Sequence, residues 1–298
     1  MKLVSYRRED GEERVGMWRD DLNGPYDLIR AIMLFSIAMG DIPLPVADML
    51  DLLDAELVDP EVLIDIEEFV DDTGLIELLS DADDYTLTAP IARPRAIYAL
   101  GRNYPAHARE SGAEIPDEPI IFAKAPTAVV GHEEDVVYKK WLTRVDPEAE
   151  LAVIIGKQGS DISEDDAPSY IAGYTCLNDV TARDIQYKDL GNSHPWLRSK
   201  GIDTFCPMGP WIVLPDEIAL PIELDVEMRV NGEVRQKDNT RSMTFSVPYL
   251  ISWISRYHTV YPGDVISTGT PEGMKPVVPG DVMEVEVEKV GVLRNKVV

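Results

Sequence analysis

The sequence predicts an α+β fold rich in β-strands, with a small acidic N-terminal α/β domain ahead of a larger β-rich domain. Beyond Pro90, glycine and proline repeatedly separate short runs of β-forming residues. Before it, strand-like runs give way to apolar residues at helical spacing. The charge changes at the same place, because residues 1–90 hold 23 acidic and 6 basic side chains, a net −17 out of −26 for the whole chain. We therefore predict an accessory domain over residues 1–86 and the main domain over residues 87–298.

Residues 1–86 are predicted to form two strands followed by three helices. The first helix opens at Pro25 and Asp27, since both residue types are favoured at helix starts, and apolar residues then recur at close to helical spacing as far as Met39. The predicted strands are Lys2–Tyr6 and Arg14–Trp18, and the other two helices are Val46–Leu53 and Glu61–Val70. None of these segments carries a cluster of candidate catalytic groups.

Residues 87–298 are predicted to be mainly strands, with one helix over Val247–Tyr257. Near the C-terminus, Val285 and Val287 alternate with glutamates, which is typical of a half-buried strand. The other predicted strands are Ala96–Leu100, Ile120–Ala123, Leu151–Gly156, Trp211–Leu214 and Leu224–Val230. The chain contains neither a G-x-G-x-x-G nor a Walker motif, which disfavours a doubly wound nucleotide-binding fold.

The composition is that of a globular protein without nucleic-acid or membrane partners. Its hydrophobic content of 45% is ordinary, and its net charge of −26 repels phosphate backbones. The longest apolar run, Ala31–Met39, is far shorter than the ~20 residues of a membrane span. Since no basic-then-apolar segment begins the chain, we expect a soluble, cytoplasmic protein.

The first candidate site is the pair Glu148 and Glu150, which opens an apolar β-like run. Residues i and i+2 of a strand point to one face, so the two carboxylates would lie side by side. Ionised carboxylates this close repel unless a cation or a proton lies between them, and hard oxygen ligands suit Mg²⁺ or Mn²⁺. Taken alone, such a pair is more typical of a solvated acidic surface than of a metal site.

Two further stretches carry candidate polar groups. Asp179 could add a third carboxylate ligand, and Arg183 offers the two-pronged hydrogen bonding that carboxylates favour. His107 is a natural general base, and Glu110 would share its face of a helical turn and could orient the imidazole. Taken alone, Asp179 and Arg183 are more simply interpreted as a surface ion pair. His107 alone is more simply interpreted as a structural histidine.

Together with two stretches dense in glycine and proline, these segments resemble the fumarylacetoacetate hydrolase family over roughly residues 90–298. Each motif alone is weak, but six of them in this order are hard to obtain by chance. They are G-x-N-Y-x-x-H-x-x-E (101–110), E-x-E-L (148–151), G-Y-T…N-D-V-T-A-R-D-x-Q (173–186), K-x-x-D-T-F-x-P-x-G-P (200–210), V-N-G-E-x-R-Q (230–236) and P-G-D-V-I-x-T-G-T-P-x-G (262–273).

The resemblance implies a mixed β-roll or β-sandwich catalytic domain, a homodimer and a small keto acid substrate. It implies that one Mg²⁺ or Mn²⁺ is held by Glu148, Glu150 and Asp179 and stabilises the substrate's enolate. Lys200 would meet developing negative charge. The substrate-binding residues implied are Arg183, Gln186 and Thr270, and the acid/base pair on a lid is His107 with Glu110. His194 is the rival for the base.

Several reactions of the family share this chemistry, so the ligand set does not separate them. The His–Glu pair favours hydrolysis of a C–C bond in an acylpyruvate-like or fumarylpyruvate-like β-diketo acid. Isomerisation of 2-hydroxyhepta-2,4-diene-1,7-dioate or 5-carboxymethyl-2-hydroxymuconate and decarboxylation of oxaloacetate are the next alternatives. Dehydration of a 2-keto-3-deoxy sugar acid follows. The alternative to an enzyme is a protein that binds metal but has no catalytic activity.

Overall fold

The computed structural model describes residues 1–298 and contains 17 strands and eight α-helices. The strands are β1 Lys2–Arg7, β2 Glu13–Arg19, β3 Gly24–Asp27, β4 Thr86–Leu87, β5 Ile97–Gly101, β6 Ile120–Ala123, β7 Val129–Val130, β8 Val145–Asp146, β9 Ala149–Ile155, β10 Ile171–Asn178, β11 Thr181–Ala182, β12 Cys206–Val213, β13 Asp225–Val230, β14 Glu233–Asn239, β15 Val265–Ser267, β16 Val282–Val287 and β17 Gly291–Lys296. The helices are α1 Leu28–Met39, α2 Met49–Asp54, α3 Pro60–Thr73, α4 Ile76–Leu79, α5 Pro105–Glu110, α6 Arg183–Gly191, α7 Leu197–Lys200 and α8 Val247–Tyr257.

One large sheet of eleven strands organises the molecule. Its main path runs β3-β2-β1-β12-β10-β9-β15-β5-β6, with β4 beside β1 and β7 beside β12. A second sheet, β14-β13-β16-β17, is separate from it, and β8 pairs with β11. The predicted β-rich α+β class is confirmed by this arrangement.

The two sheets pack against each other through their apolar faces. Strand β16 alternates buried valine and methionine with half-buried glutamate, as its sequence predicts. Its buried side chains join a core of 36 residues that includes Leu151, Val153 and Ile155 of β9. Every residue of β9 and of β10 is buried, since both faces of these central strands are covered.

The acidic N-terminal segment lengthens the large sheet and covers part of its other face. Strand β1 pairs with β12, with Leu3 opposite Ile212. Helix α1 begins at Leu28, since the Asp27 side chain accepts a hydrogen bond from the Arg30 amide. Pro25 lies in strand β3 instead, so this helix starts later than the sequence predicts. The domain boundary at residue 86 falls on β4, which pairs with β1, and it stays a prediction.

None of the eight α-helices combines the length and the apolar character needed to cross a lipid bilayer.

Candidate active site

The pairing of β9 with β10 brings three carboxylates together. Glu150 lies opposite Leu177 in the antiparallel register, and Glu148 and Asp179 lie just beyond the ends of the two strands. The Asp179 amide donates a hydrogen bond of 2.9 Å to the Glu148 carbonyl, which closes this end of the pair. Oxygen atoms of Glu148, Glu150 and Asp179 all lie within 4.8 Å of one another, and all three residues are buried.

Buried cations surround this cluster. The Lys200 ammonium donates to Glu148 at 2.6 Å and to Asp179 at 2.5 Å. Arg183 donates to Glu148 and, at 2.9 Å, to the fully buried carboxylate of Asp146. Because buried ionic groups are costly unless they are paired, these contacts are what allows the carboxylates to remain in the interior.

The carboxyl groups of Glu150 and Glu148 have pKa values shifted in opposite directions. Burial and the charge of Asp179 raise the pKa of Glu150 well above its ordinary value. Its Oε2 still accepts hydrogen bonds from the Ser267 hydroxyl and, at 2.8 Å, from the Gly269 amide. Burial also disfavours the charged form of Glu148, but Lys200 and Arg183 outweigh that effect and lower its pKa.

The residues of this cluster fit a hard divalent cation. Three carboxylates converge, and no nitrogen or sulfur ligand is among them. Burial and the neighbouring charge of Asp179 disfavour the ionised form of Glu150, and a bound cation would offset both effects. Oxygen-only donor sets suit Mg²⁺ or Mn²⁺ better than zinc.

Arg183, Gln186 and Thr270 lie around the cluster and are held by one another and by Gln236. The Arg183 guanidinium donates to Gln186 Oε1 at 2.6 Å. The Gln236 amide group donates to Thr270 Oγ1 at 2.9 Å and to the Pro271 carbonyl at 2.8 Å, and its oxygen accepts from the Ala149 amide at 2.9 Å. Gln236 therefore ties the start of β9 to the loop that carries Thr270.

His107 and Glu110 share one face of the short helix α5, as their spacing predicts. The His107 Nδ1 lies 3.8 Å from Glu110 Oε2 and makes no hydrogen bond, although it is buried. Glu110 accepts from the Gly273 amide through both oxygens, at 3.0 and 3.1 Å. The neighbouring His107 lowers the pKa of the Glu110 carboxyl.

A cavity of about 120 Å³ opens beside the carboxylates. Its wall contains six of the nine predicted site residues, namely His107, Glu148, Arg183, Gln186, Lys200 and Thr270. His194 is not in this wall: its side chain is 57% exposed and lies 3.7 Å from Asp189. A larger cavity of about 630 Å³ lies between β1, β2 and residues 88–93, but it contains none of the predicted site residues, so the smaller one is the candidate site.

Comparison with known proteins agrees with this geometry. A family model described as the C-terminal domain of fumarylacetoacetate (FAA) hydrolase matches residues 96–298. The chain belongs to the fumarylacetoacetate hydrolase family. Its resemblance to that family, inferred from six sequence motifs, is thereby confirmed.

The relatives within the fumarylacetoacetate hydrolase family are named for different reactions. The mitochondrial oxaloacetate tautomerase FAHD2A of Bos taurus is 45% identical over 223 residues, which are 72% of this chain and 70% of that protein. The structure of 5-carboxymethyl-2-hydroxymuconate delta-isomerase from Mycobacterium smegmatis is 32% identical, with a TM-score of 0.73, and the match covers 100% of this chain and 98% of that one. Fumarylpyruvate hydrolase from Pseudomonas aeruginosa, solved with Mn²⁺ and pyruvate, is 33% identical, with a TM-score of 0.67 over 74% of this chain and 92% of that one.

Sequence reasoning missed several residues of this fumarylacetoacetate hydrolase family site. Lys124 is buried at the end of β6 and donates to Asp179 at 2.5 Å, but no acidic or catalytic motif stands near it in the chain. Gln236 lies inside the motif of residues 230–236, and Asp146 lies two residues before the motif of residues 148–151, but neither was given a role. The only available signal for Lys124 was a charged residue directly after an apolar strand.

Proposed function

We propose that the protein is a metal-dependent enzyme that interconverts the keto and enol forms of a short 2-oxo acid, with oxaloacetate as the first substrate to test. The observation that carries the proposal is the buried carboxylate cluster of Glu148, Glu150 and Asp179, of which Glu148 lines a cavity of about 120 Å³. This volume is well below the ~300–1,000 Å³ of sites for drug-sized ligands, which suits a small acid. The 45% identity to an oxaloacetate tautomerase supports the choice of reaction.

Glu148, Glu150 and Asp179 would hold one Mg²⁺ or Mn²⁺. When bound, the ion supplies Lewis-acid stabilisation of negative charge on a substrate oxygen. The 33% identical hydrolase solved with Mn²⁺ supports this cofactor choice.

The remaining roles belong to side chains in the cavity wall. Lys200 presents an ammonium group to negative charge that develops on the substrate, and Arg183, Gln186 and Thr270 orient its carboxylate through hydrogen bonds. His107 carries the proton between carbon and oxygen, because it is the imidazole in the cavity wall. Glu110 orients the imidazole from 3.8 Å. Tautomerisation only relocates a proton and consumes no water, so the small cavity has to admit only the 2-oxo acid.

Hydrolysis of a C–C bond in an acylpyruvate or fumarylpyruvate is the second candidate. The His107–Glu110 pair favours it, since such a pair can also activate a water molecule. The likeness to a fumarylpyruvate hydrolase supports it as well. The same site would serve the isomerase, decarboxylase and dehydratase alternatives. We extend the proposal to a homodimer, as the family resemblance implies, and to a cytoplasmic location, as predicted from the sequence.

The test follows the enol absorbance of oxaloacetate, acetylpyruvate and fumarylpyruvate with Mg²⁺, with Mn²⁺ and with EDTA. We expect metal-dependent acceleration of oxaloacetate equilibration that Glu150→Ala abolishes and that Glu114→Ala, at an exposed position outside the site, leaves unchanged. Consumption of an acylpyruvate without faster equilibration of oxaloacetate would favour the second candidate. Metal binding without turnover of any of the three acids would contradict both and favour a metal-binding protein without activity.

A further inference from the structure

Arg102 is a cation in the cavity wall that the proposed chemistry does not use. It lies in the loop between β5 and α5 and lines the same cavity as Lys200, Glu148 and His107. We propose that Arg102 binds the second carboxylate of the substrate, so that the enzyme selects 2-oxo dicarboxylates over 2-oxo monocarboxylates. This inference rests on the proposed function, because it names the substrate class of the same site.

Arg102 differs from Lys200 and Arg183, the other two cations of the cavity wall, because it has no carboxylate partner. Lys200 is paired with Glu148 and Asp179, and Arg183 is paired with Asp146 and Glu148. Arg102 is half-buried and forms neither a hydrogen bond nor an ion pair in the structure. A guanidinium without an anionic partner, in a chain with 54 acidic and 28 basic residues, is available to an anion that enters from solution.

The backbone conformation of Arg102 supports a role of this residue in ligand binding. Its φ is 60°, in the left-handed region that glycine and asparagine adopt more readily than arginine. The next residue, Asn103, fixes this conformation, because its side chain donates to the Thr268 and Phe245 carbonyls and accepts from the Phe245 amide. Residues held in sparsely populated backbone conformations cluster at ligand-binding sites, and Arg102 lies in the wall of the candidate site.

The experiment compares two acids that differ only in the terminal group. Titration calorimetry of the Mn²⁺-loaded protein measures the dissociation constants of 2-oxopentanedioate and 2-oxopentanoate, in which a methyl group replaces the distal carboxylate. A charge-assisted contact corresponds to about tenfold to hundredfold tighter binding of the dicarboxylate. The variant Arg102→Asn suits the left-handed backbone, so it is expected to fold with an unchanged or higher Tm.

We expect Arg102→Asn to bring the ratio of the two dissociation constants close to one, mainly because it weakens binding of the dicarboxylate. Arg102→Lys should retain part of the preference for the dicarboxylate. The control Arg109→Gln removes the same charge from α5 at an exposed position outside the cavity wall and should keep the wild-type ratio. A preference that survives in Arg102→Asn, no preference in the wild type, or no binding of either acid would overturn the inference. An Arg102-dependent preference in an enzyme that does not tautomerise oxaloacetate would support the inference and reject only the proposed function.

Discussion

At the scale of single residues, Glu148 and Glu150 are expected to affect stability in opposite directions. The raised pKa of Glu150 means that the folded protein binds its proton more tightly than the unfolded chain does, so its contribution to stability falls as the pH rises above the ordinary value of 4.5. The lowered pKa of Glu148 has the reverse sign: its contribution is present above 4.5 and is lost as the pH falls below that value.

Without metal, Glu150→Gln should therefore raise the free energy of unfolding at pH 8, with a smaller gain at pH 5. Glu148→Gln should lower it at pH 8 by about 3–5 kcal/mol, since Lys200 and Arg183 lose a charged partner in the interior. Urea unfolding in EDTA at the two pH values measures both variants. A less stable Glu150→Gln at pH 8 would contradict the electrostatic account of the site.

The sequence predicted these carboxylates but not all of their neighbours, for a physical reason. Glu148 and Glu150 are two positions apart, and the period of a strand places them together without further information. Lys124 reaches Asp179 across 55 positions of the chain, through a contact that exists only after β6 and β10 have joined the same sheet. The conformation of Arg102 is likewise imposed by hydrogen bonds from Asn103 to residues more than 140 positions away.

At the scale of elements, helix α5 depends on tertiary contacts. It has six residues and no side-chain cap at its start, so it is too short to be stable alone. Its C-terminal end is attached to the loop after β15 by the two contacts between Glu110 and the Gly273 amide. This attachment holds His107 in the wall of the cavity.

Glu110→Ala should release α5, because it removes those contacts. We expect amide hydrogen exchange over residues 105–112 to accelerate by roughly fivefold to thirtyfold, equivalent to about 1–2 kcal/mol. Glu114→Ala, which removes an exposed carboxylate just beyond α5, should leave the exchange rates as they are. Equal exchange in Glu110→Ala and wild type would mean that packing alone holds the helix.

Individual elements were easier to predict than their pairing. Helix α8 spans Val247–Tyr257 as its apolar spacing indicates, and β6 spans Ile120–Ala123 as predicted. Strand β3, which contains Pro25, was missed, because its four residues lack an alternating pattern. The parallel pairing of β5 with β15 joins segments about 168 positions apart, and no local pattern encodes such a partner.

At the scale of the whole molecule, the acidic N-terminal segment and the rest of the chain share one core. A cluster of 26 buried residues joins Leu52, Leu63 and Ile66 of the N-terminal helices to β9 and β12, including Ile154 and Ile212. The pairing of β1 with β12 adds backbone hydrogen bonds across the same junction. We therefore expect residues 1–86 and 87–298 to unfold in one cooperative transition, even though only residues 96–298 match the family model.

Leu52→Ala tests this coupling, because Leu52 is fully buried within the shared cluster. Loss of its side chain should cost about 2–5 kcal/mol and shift the entire calorimetric unfolding transition to lower temperature. Ile42→Ala is the matched control, since Ile42 is 92% exposed in the same segment and its loss should leave the transition in place. Two resolved transitions, of which Leu52→Ala moves only one, would instead mean that the N-terminal segment is an independent folding unit attached to a self-sufficient catalytic domain.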